Sequence, residues 1–290
     1  MKRCDWCGKE YPDTAEQCEI DGHSLAGCEA SSAILPQVVA SSTSPALQEV
    51  YSLEATSKSE TRLTECHLQI FELCLVCFIA FGGSILYSTW TFFGFGSRNS
   101  AAGMLKWINS SLHELGGLGL LWYVLFRRSK SFSDLGFSWR KRDVGISILL
   151  WITGAAAFSI VYRTIYFIGV IPDSQSAANE RVANLLFGSG FSFMTFAFQF
   201  LNPFFEELIV RAYVMSEVRQ LTNSIFKAVL ISTVLQTSYH FYQGAPLAIS
   251  DGAIFLIFSI YYARTNRITP IILAHIYMDV IPTIQIWFNH

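Results

Sequence analysis

The ten residues NPFFEELIVR, Asn202 to Arg211, place two adjacent glutamates and an arginine inside a strongly apolar region. That region begins GFSFMTFAFQFL and continues AYVM after the arginine. A charged group in the middle of a membrane helix costs roughly 3 kcal/mol on insertion scales, and in a soluble core it would still need partners. The stretch therefore predicts that Glu206, Glu207 and Arg211 interact with one another, or with a ligand, within a buried polar site.

The composition around this stretch indicates an integral membrane protein. Hydrophobic residues make up 52% of the chain and charged residues only 14%, whereas a typical soluble domain is about 25% charged. The formal net charge is -2, so nothing predicts a nucleic-acid partner. The N-terminus is polar and has no apolar core segment, so we predict no secretory signal peptide.

The chain divides into three zones. Residues 1–28 form a small cysteine-bearing module, and residues 29–65, rich in Ser, Ala and Thr, are predicted to be a flexible linker. Residues 66–290 are a string of apolar runs that predicts an all-α, polytopic membrane helix bundle of about seven transmembrane helices. The runs centre near Ala80, Gly119, Ala156, Phe198, Ser232, Phe255 and Ile281.

The distribution of basic residues predicts the orientation in the membrane. The segment RRSKSFSDLGFSWRKRD, residues 127–143, follows the second run and holds the densest basic cluster in the chain. Short loops rich in Lys and Arg stay on the cytoplasmic side. Counting spans from this loop predicts a cytoplasmic N-terminus, and it places Glu217, Arg219, Arg264 and Arg267 on the same side. We expect a multi-pass protein of a bacterial inner membrane.

The N-terminal module has the pattern of a metal-binding ribbon. CDWC at 4–7 supplies two thiolates at the spacing of a zinc knuckle, and the module resembles bacterial zinc ribbons of the CxxCG…CxxDG type. The predicted Zn²⁺ ligands are Cys4, Cys7, Cys18 and Asp21, with His23 or Cys28 as alternatives for the fourth position. A degenerate ribbon without metal, or a disordered tail, is the alternative. The ribbon is predicted to bind a partner whose identity the sequence does not give.

Two further apolar runs carry ionisable residues at informative spacings. His240 lies in the fifth run, and His275 and Asp279 lie in the seventh, four residues apart, so that both project from one face of a helix. Glu207 and Arg211 have the same spacing, which favours an ion pair. Pro203 precedes them and is expected to interrupt the helix hydrogen bonds and help to open a polar pocket.

This set of residue types predicts hydrolytic chemistry. Ionisable residues inside a membrane mark functional sites by default. The tentative ligands of a divalent metal in the membrane are Glu206, His240, His275 and Asp279. A metal with an open coordination position beside a carboxylate makes a nucleophile from water near neutral pH.

The motifs resemble those of the CAAX prenyl protease and bacteriocin-processing family of intramembrane proteases, also called the Abi family. EELIVR at 206–211 reads as EExxxR, HFYQG begins at His240, and HIYMD at 275–279 reads as HxxxD. The resemblance covers roughly residues 116–290 and is strong for about 187–290. It implies an intramembrane endopeptidase that cleaves a membrane-associated peptide or protein, by a metal-dependent or a glutamate-dependent mechanism.

The resemblance also implies roles for the first motif. Glu206 would activate the attacking water. Glu207 would assist it or pair with Arg211, which would hold the motif in place as a structural ion pair.

The later motifs would complete the site. His240 would polarise the water or bind metal, while His275 and Asp279 would bind metal or stabilise the oxyanion. Asp279 cannot donate a hydrogen bond when ionised, so it suits a metal ligand better, or must be held protonated. Gln236 departs from the family pattern, which usually has an aromatic residue four positions before the histidine.

Two other functions compete with proteolysis. The chain could be a non-catalytic membrane scaffold or immunity-type protein that acts through partner binding. A proton-coupled transporter is disfavoured because no internal repeat is visible. His113 and Glu114, near the start of the second run, are predicted to lie at the membrane interface.

Overall fold

A computed structural model describes the backbone of residues 2–3, 10–11, 45–93, 104–169 and 193–289. Side chains are described at 66–93, 107–169, 193–282 and 284. The chain divides into two compact units, Met1–Phe71 and Glu72–His290.

The first unit contains a short antiparallel hairpin and the beginning of a long helix. Strands β1 (Lys2–Arg3) and β2 (Glu10–Tyr11) pair with Lys2 opposite Tyr11. Helix α1 (Pro45–Phe92) begins in this unit. Residues 45–65 of the predicted linker are therefore helical. This stretch contains neither Gly nor Pro beyond its first residue, and it includes four Glu and three Leu, which favour helix. The cysteines of the module lie outside the described residues.

The second unit is a bundle of helices, and short turns join those within residues 193–289. Asn223 and Asn266 end two of the helices in the left-handed conformation, and the Ser224 side chain accepts a hydrogen bond from the Lys227 N–H at the start of the next helix. The helices are α2 (Met104–Arg127), α3 (Asp143–Phe167), α4 (Phe193–Glu206), a π-helix (Glu207–Val214), α5 (Met215–Thr222), α6 (Ile225–Tyr239), α7 (Ala245–Thr265) and α8 (Thr269–Asn289).

The predicted all-helical membrane bundle is confirmed, although fewer helices qualify as complete spans than the seven expected. Each predicted centre lies in a helix. Within the described residues, three segments are long and apolar enough to cross a bilayer by themselves: Cys66–Phe92, Asp143–Phe167 and Ala245–Thr265. The others are shortened by polar residues or by turns, as in α6, which has only 15 residues.

Large apolar side chains on the outside of the bundle are consistent with contact with lipid. Phe78, Leu86, Trp122 and Leu149 are all more than half exposed. Apolar patches of this extent are unusual on soluble monomers.

Close helix contacts fix the interior. Gly117 of α2 lies against Phe205 of α4, where an added Cβ would come 2.5 Å from the Phe205 ring. Gly154 of α3 lies similarly against Ile254 of α7. These small residues allow α2 to approach α4, and α3 to approach α7, closely enough to enclose the polar residues between the helices.

Candidate active site

The predicted polar site is built on a change of helix type. Helix α4 passes through Pro203 and ends at Glu206, and the chain continues from Glu207 as a π-helix whose eight residues are all buried. π-Helices are rare and are frequently found at functional sites, so this geometry is consistent with the role predicted for EExxxR. The sequence pattern predicted a helix here but did not predict its π geometry.

Glu207 is the most heavily engaged carboxylate of the site. Its Oε1 accepts hydrogen bonds from His275 Nδ1 at 2.9 Å and from Gln236 Nε2 at 3.3 Å. Its Oε2 lies 3.5 Å from Arg211 Nε, and both side chains of that pair are completely buried. With its oxygens held by three partners, Glu207 is suited to orienting its neighbours.

Arg211 is anchored on its far side by α6 and α7. Its Nη1 donates to Ser232 Oγ at 3.2 Å, and Ser232 donates in turn to the Val210 carbonyl at 3.0 Å. The guanidinium lies over the Phe255 ring, 5.4 Å from its centroid. This position fits the predicted structural ion pair, because the guanidinium is fully enclosed by protein.

Glu206 shares one hydrogen-bond partner, Gln236, with Glu207. Its Oε2 accepts a hydrogen bond from Gln236 Nε2 at 2.8 Å, and the side chain is only 6% exposed. Glu206, Glu207 and His275 each offer a ligand atom within 4.8 Å of the others.

The HxxxD motif lies beside these glutamates. His275 Nε2 is 3.8 Å from Asp279 Oδ1, and Asp279 keeps a quarter of its side chain exposed. The Asn202 side chain hydrogen-bonds to Asp279. The distance between His275 and Asp279 is therefore longer than a hydrogen bond.

His240 is linked to the glutamates less directly. It follows the last residue of α6, its Nδ1 pairs with the Gln236 carbonyl at 2.8 Å, and its ring lies 4.9 Å from that of Phe255. Among the described residues, the group whose ligand atoms lie within 4.8 Å of one another contains His275 but not His240. In this structure His240 thus reaches the predicted site through Gln236.

The carboxylates and the imidazole gathered at this site are suitable ligands for a divalent metal. His275 hydrogen-bonds to Glu207 through Nδ1. Metal-ligating histidines typically have such a partner, and the other ring nitrogen, Nε2, is then the atom that binds the metal. That Nε2 faces Asp279 across the 3.8 Å gap. Glu206 and His275 would be ligands of the ion, with Asp279 near His275 Nε2 and Glu207 orienting the imidazole.

Three residues near the site were not predicted to belong to it. Gln236 bridges the glutamates, Glu114 of α2 is buried, and Asp251 of α7 is half-buried. Both acids interact electrostatically with Glu206, His275 and Asp279. Glu114, which the sequence predicts at the membrane interface, is only 3% exposed within the bundle. The rule that ionisable residues inside apolar runs are functional would have found it.

Comparison with known families now bears on these residues. Residues 188–281 match the family described as type II CAAX prenyl endopeptidase Rce1-like. This segment is similar to the Rce1-like family. The match spans about a third of the chain and includes every predicted residue of the membrane site, which confirms the resemblance. A search of curated proteins and a search of solved structures each gave no match.

The Rce1-like match supports CAAX-type intramembrane protease activity in general, and with the apolar helices it supports an integral membrane protein with a membrane-associated substrate. It does not extend to the ribbon. The predicted zinc ligands Cys4, Cys7, Cys18, Asp21, His23 and Cys28 all lie outside the described residues.

Proposed function

We propose that the protein is an intramembrane endopeptidase that hydrolyses a peptide bond of a membrane-associated protein or peptide. The observation that carries the proposal is the convergence of Glu206, Glu207 and His275 within 4.8 Å at the centre of a buried helical site. Two carboxylates and an imidazole at such separation can activate water and stabilise a tetrahedral intermediate.

Glu206 is the general base in this proposal. It has fewer partners than Glu207, whose oxygens are held by His275, Gln236 and Arg211. Glu206 takes a proton from water as the water oxygen bonds to the carbonyl carbon of the substrate. The same proton passes to the amide nitrogen as the C–N bond breaks, which releases an amine and a carboxylic acid.

His275 acts on the carbonyl oxygen. Because its Nδ1 hydrogen-bonds to Glu207, the atom available to the substrate is Nε2, which can donate to an oxyanion only when it is protonated. If Nε2 instead carries its lone pair, it can bind a metal with Glu206 and Asp279. A bound metal would supply Lewis-acid polarisation of the carbonyl.

An apolar cleft next to the site suggests where a substrate binds. A cleft of about 560 Å³ lies between α2 and α4 and reaches Leu208, the residue after Glu207. Its lining includes Leu118, Gly119, Trp122, Phe200 and Phe204. We propose that it receives an apolar group of the substrate, which the family's prenylated CAAX peptides would provide.

The remaining predictions belong to the same proposal. We propose a bacterial inner-membrane location with a cytoplasmic N-terminus, and a zinc ribbon formed by Cys4, Cys7 and Cys18 with Asp21, His23 or Cys28. The basic segment at 127–143 and the CxxC spacing support these two assignments.

Cleavage of a fluorogenic, prenylated CAAX peptide by the purified protein in lipid vesicles tests the activity. Glu206→Gln should lower kcat at least about 1,000-fold, since it removes the base while conserving volume. Ser238→Ala, which removes a hydrogen bond within α6, is the control and should stay active. Undiminished cleavage by a folded Glu206→Gln variant would refute the proposal.

Metal analysis of the full-length protein separates the two mechanisms. Comparison of the unaltered chain with a Cys4→Ser/Cys7→Ser variant distinguishes metal in the ribbon from metal in the membrane. Metal that remains in this variant and is lost on adding His275→Ala would support the metal-dependent form. Full activity without bound metal would support the glutamate-dependent form.

A further inference from the structure

Gln236 lies between the two glutamates of the polar site, at the position where the second motif of the family usually has an aromatic residue. Its Nε2 lies 2.8 Å from Glu206 Oε2 and 3.3 Å from Glu207 Oε1, and its side chain is completely buried. A side-chain amide carries two N–H donors, so one group can serve both carboxylates at once. Nε2 must be the atom that faces them, since the amide oxygen cannot donate.

This contact offsets an electrostatic problem created by the EE pair. Two carboxylates side by side in a buried site repel each other, and each lacks the water that would hydrate it. Arg211 forms an ion pair with Glu207, and His275 hydrogen-bonds to Glu207. Gln236 donates a hydrogen bond to each of the two carboxylates, so it sets the spacing between the two acids.

The same residue also orients His240. The backbone carbonyl of Gln236 pairs with His240 Nδ1 at 2.8 Å. Because that hydrogen bond fixes the ring and leaves Nε2 free, Gln236 connects the second motif with the first through its backbone and its side chain.

Packing alone does not favour a glutamine here. Its Oε1 is buried and has no hydrogen-bond partner among the described residues, and such an atom destabilises a fold relative to an apolar group of the same shape. The N–H donors are what distinguish glutamine from methionine, which has a similar volume.

We infer that Gln236 is a positioning residue for hydrolysis, which holds the Glu206 and Glu207 carboxylates at a fixed separation by donating to both. The expected effect of Gln236 on catalysis rests on the proposed function, peptide hydrolysis. The link between Gln236 and the two glutamates is independent of any activity.

Kinetics of Gln236→Met test the catalytic consequence. The variant keeps the side-chain volume and loses both donors, so kcat for the fluorogenic, prenylated CAAX peptide should fall by roughly 10- to 100-fold, with KM changed less than about twofold. Gln236→Asn, which keeps the donors on a shorter side chain, should fall between Gln236→Met and the unaltered protein. Ser238→Ala on the same helix is the matched control. Unchanged kcat in Gln236→Met would overturn the inference.

A thermal-unfolding cycle tests the link without using activity. Gln236→Met should lower the unfolding temperature of the full-length protein by at least about 3 °C. The loss should be smaller when Glu206 is already Gln, because a neutral amide does not require the donor. If Gln236→Met does not fold alone, recovery of folding in Gln236→Met/Glu206→Gln shows the same coupling.

Strictly additive losses of unfolding temperature would overturn the inference whatever the kinetics show. Retained cleavage in Glu206→Gln together with clear coupling would refute the proposed function while leaving the carboxylate link in place. The two failures are therefore distinguishable.

Discussion

At the scale of single residues, the adjacent glutamates have different surroundings and therefore different roles. Glu207 is completely enclosed, and Arg211, His275 and Gln236 hold its oxygens. Glu206 is also buried, and its partner at 2.8 Å is the neutral amide of Gln236. This asymmetry is why we assign the base to Glu206 and an orienting role to Glu207.

Replacement of Arg211 should lower the free energy of unfolding, because the Glu207 carboxylate is buried beside it. Arg211→Met leaves the carboxylate without its opposite charge and should destabilise the fold by about 3–5 kcal/mol. Chemical denaturation in detergent micelles measures this loss, and Glu207→Gln in the same chain should restore part of it. The exposed Arg264 gives the control, since Arg264→Met should change stability by less than about 0.5 kcal/mol. Equal effects of the two arginine variants would contradict a buried pair.

At the scale of helices, the junction of α4 and the π-helix determines how the first motif is presented. The α-helix ends at Glu206 and the wider π-helix begins at Glu207, so the two acids belong to segments of different geometry. Gly117 of α2 allows that helix to contact Phe205 at the junction. The buried Glu114 lies one helical turn before Gly117 and is brought toward the site by the same approach.

The cleft between α2 and α4 can be tested with two glycines of one helix. An added Cβ meets no atom within 4 Å at either Gly119 or Gly116, but only Gly119 belongs to the cleft lining. Gly119→Trp should fill the cleft and raise KM for a prenylated peptide at least about fivefold, with kcat little changed. Gly116→Trp is the matched control. Similar KM values for the two variants would remove the cleft from the substrate site.

At the scale of the whole bundle, ion pairs join the basic segment at 127–143 to Glu72, to Glu217 and to Arg267. Arg128, at the end of α2, pairs with Glu217 of α5 at 2.7 Å and also with Glu72. Arg267, between α7 and α8, pairs with Asp143 at 2.8 Å.

Backbone contacts between the same regions place the basic segment against the α7–α8 turn. Gly136 packs against Asn266 so closely that an added Cβ would overlap its carbonyl oxygen, and the Ile268 N–H donates to the Gly136 carbonyl at 3.3 Å. The residues predicted to lie on one side of the membrane thus meet at one end of the second unit.

Cysteine labelling tests which side of the membrane this end faces. In a cysteine-free background, Ser133→Cys and Thr222→Cys should react with a membrane-impermeant maleimide only in inverted vesicles, because the positive charges hold this end in the cytoplasm. Ile168→Cys, at the end of α3, should react only in intact spheroplasts. All three positions are exposed. Labelling of Ser133→Cys from the outside would reverse the predicted orientation.

The sequence by itself determined the features that depend on local spacing. Apolar runs predict helices, and i,i+4 pairs such as Glu207–Arg211 and His275–Asp279 share a helix face whichever helices surround them. The motifs therefore identified the acids, the imidazoles and the segment that matches the Rce1-like family. The same local reasoning predicted a flexible linker at residues 45–65 because their composition is polar. These residues belong to helix α1.

Only the tertiary structure decided which helices supply the partners. Gln236 reads in the sequence as a departure from a motif, and Glu114 as an interfacial acid, because nothing local states which side chains face them across the bundle. The π-helix and the pairing of Arg128 with Glu217 depend likewise on how α2, α4 and α5 pack. A buried polar atom takes its partner from wherever the packing brings one, so its role follows from helix contacts and not from its neighbours in the chain.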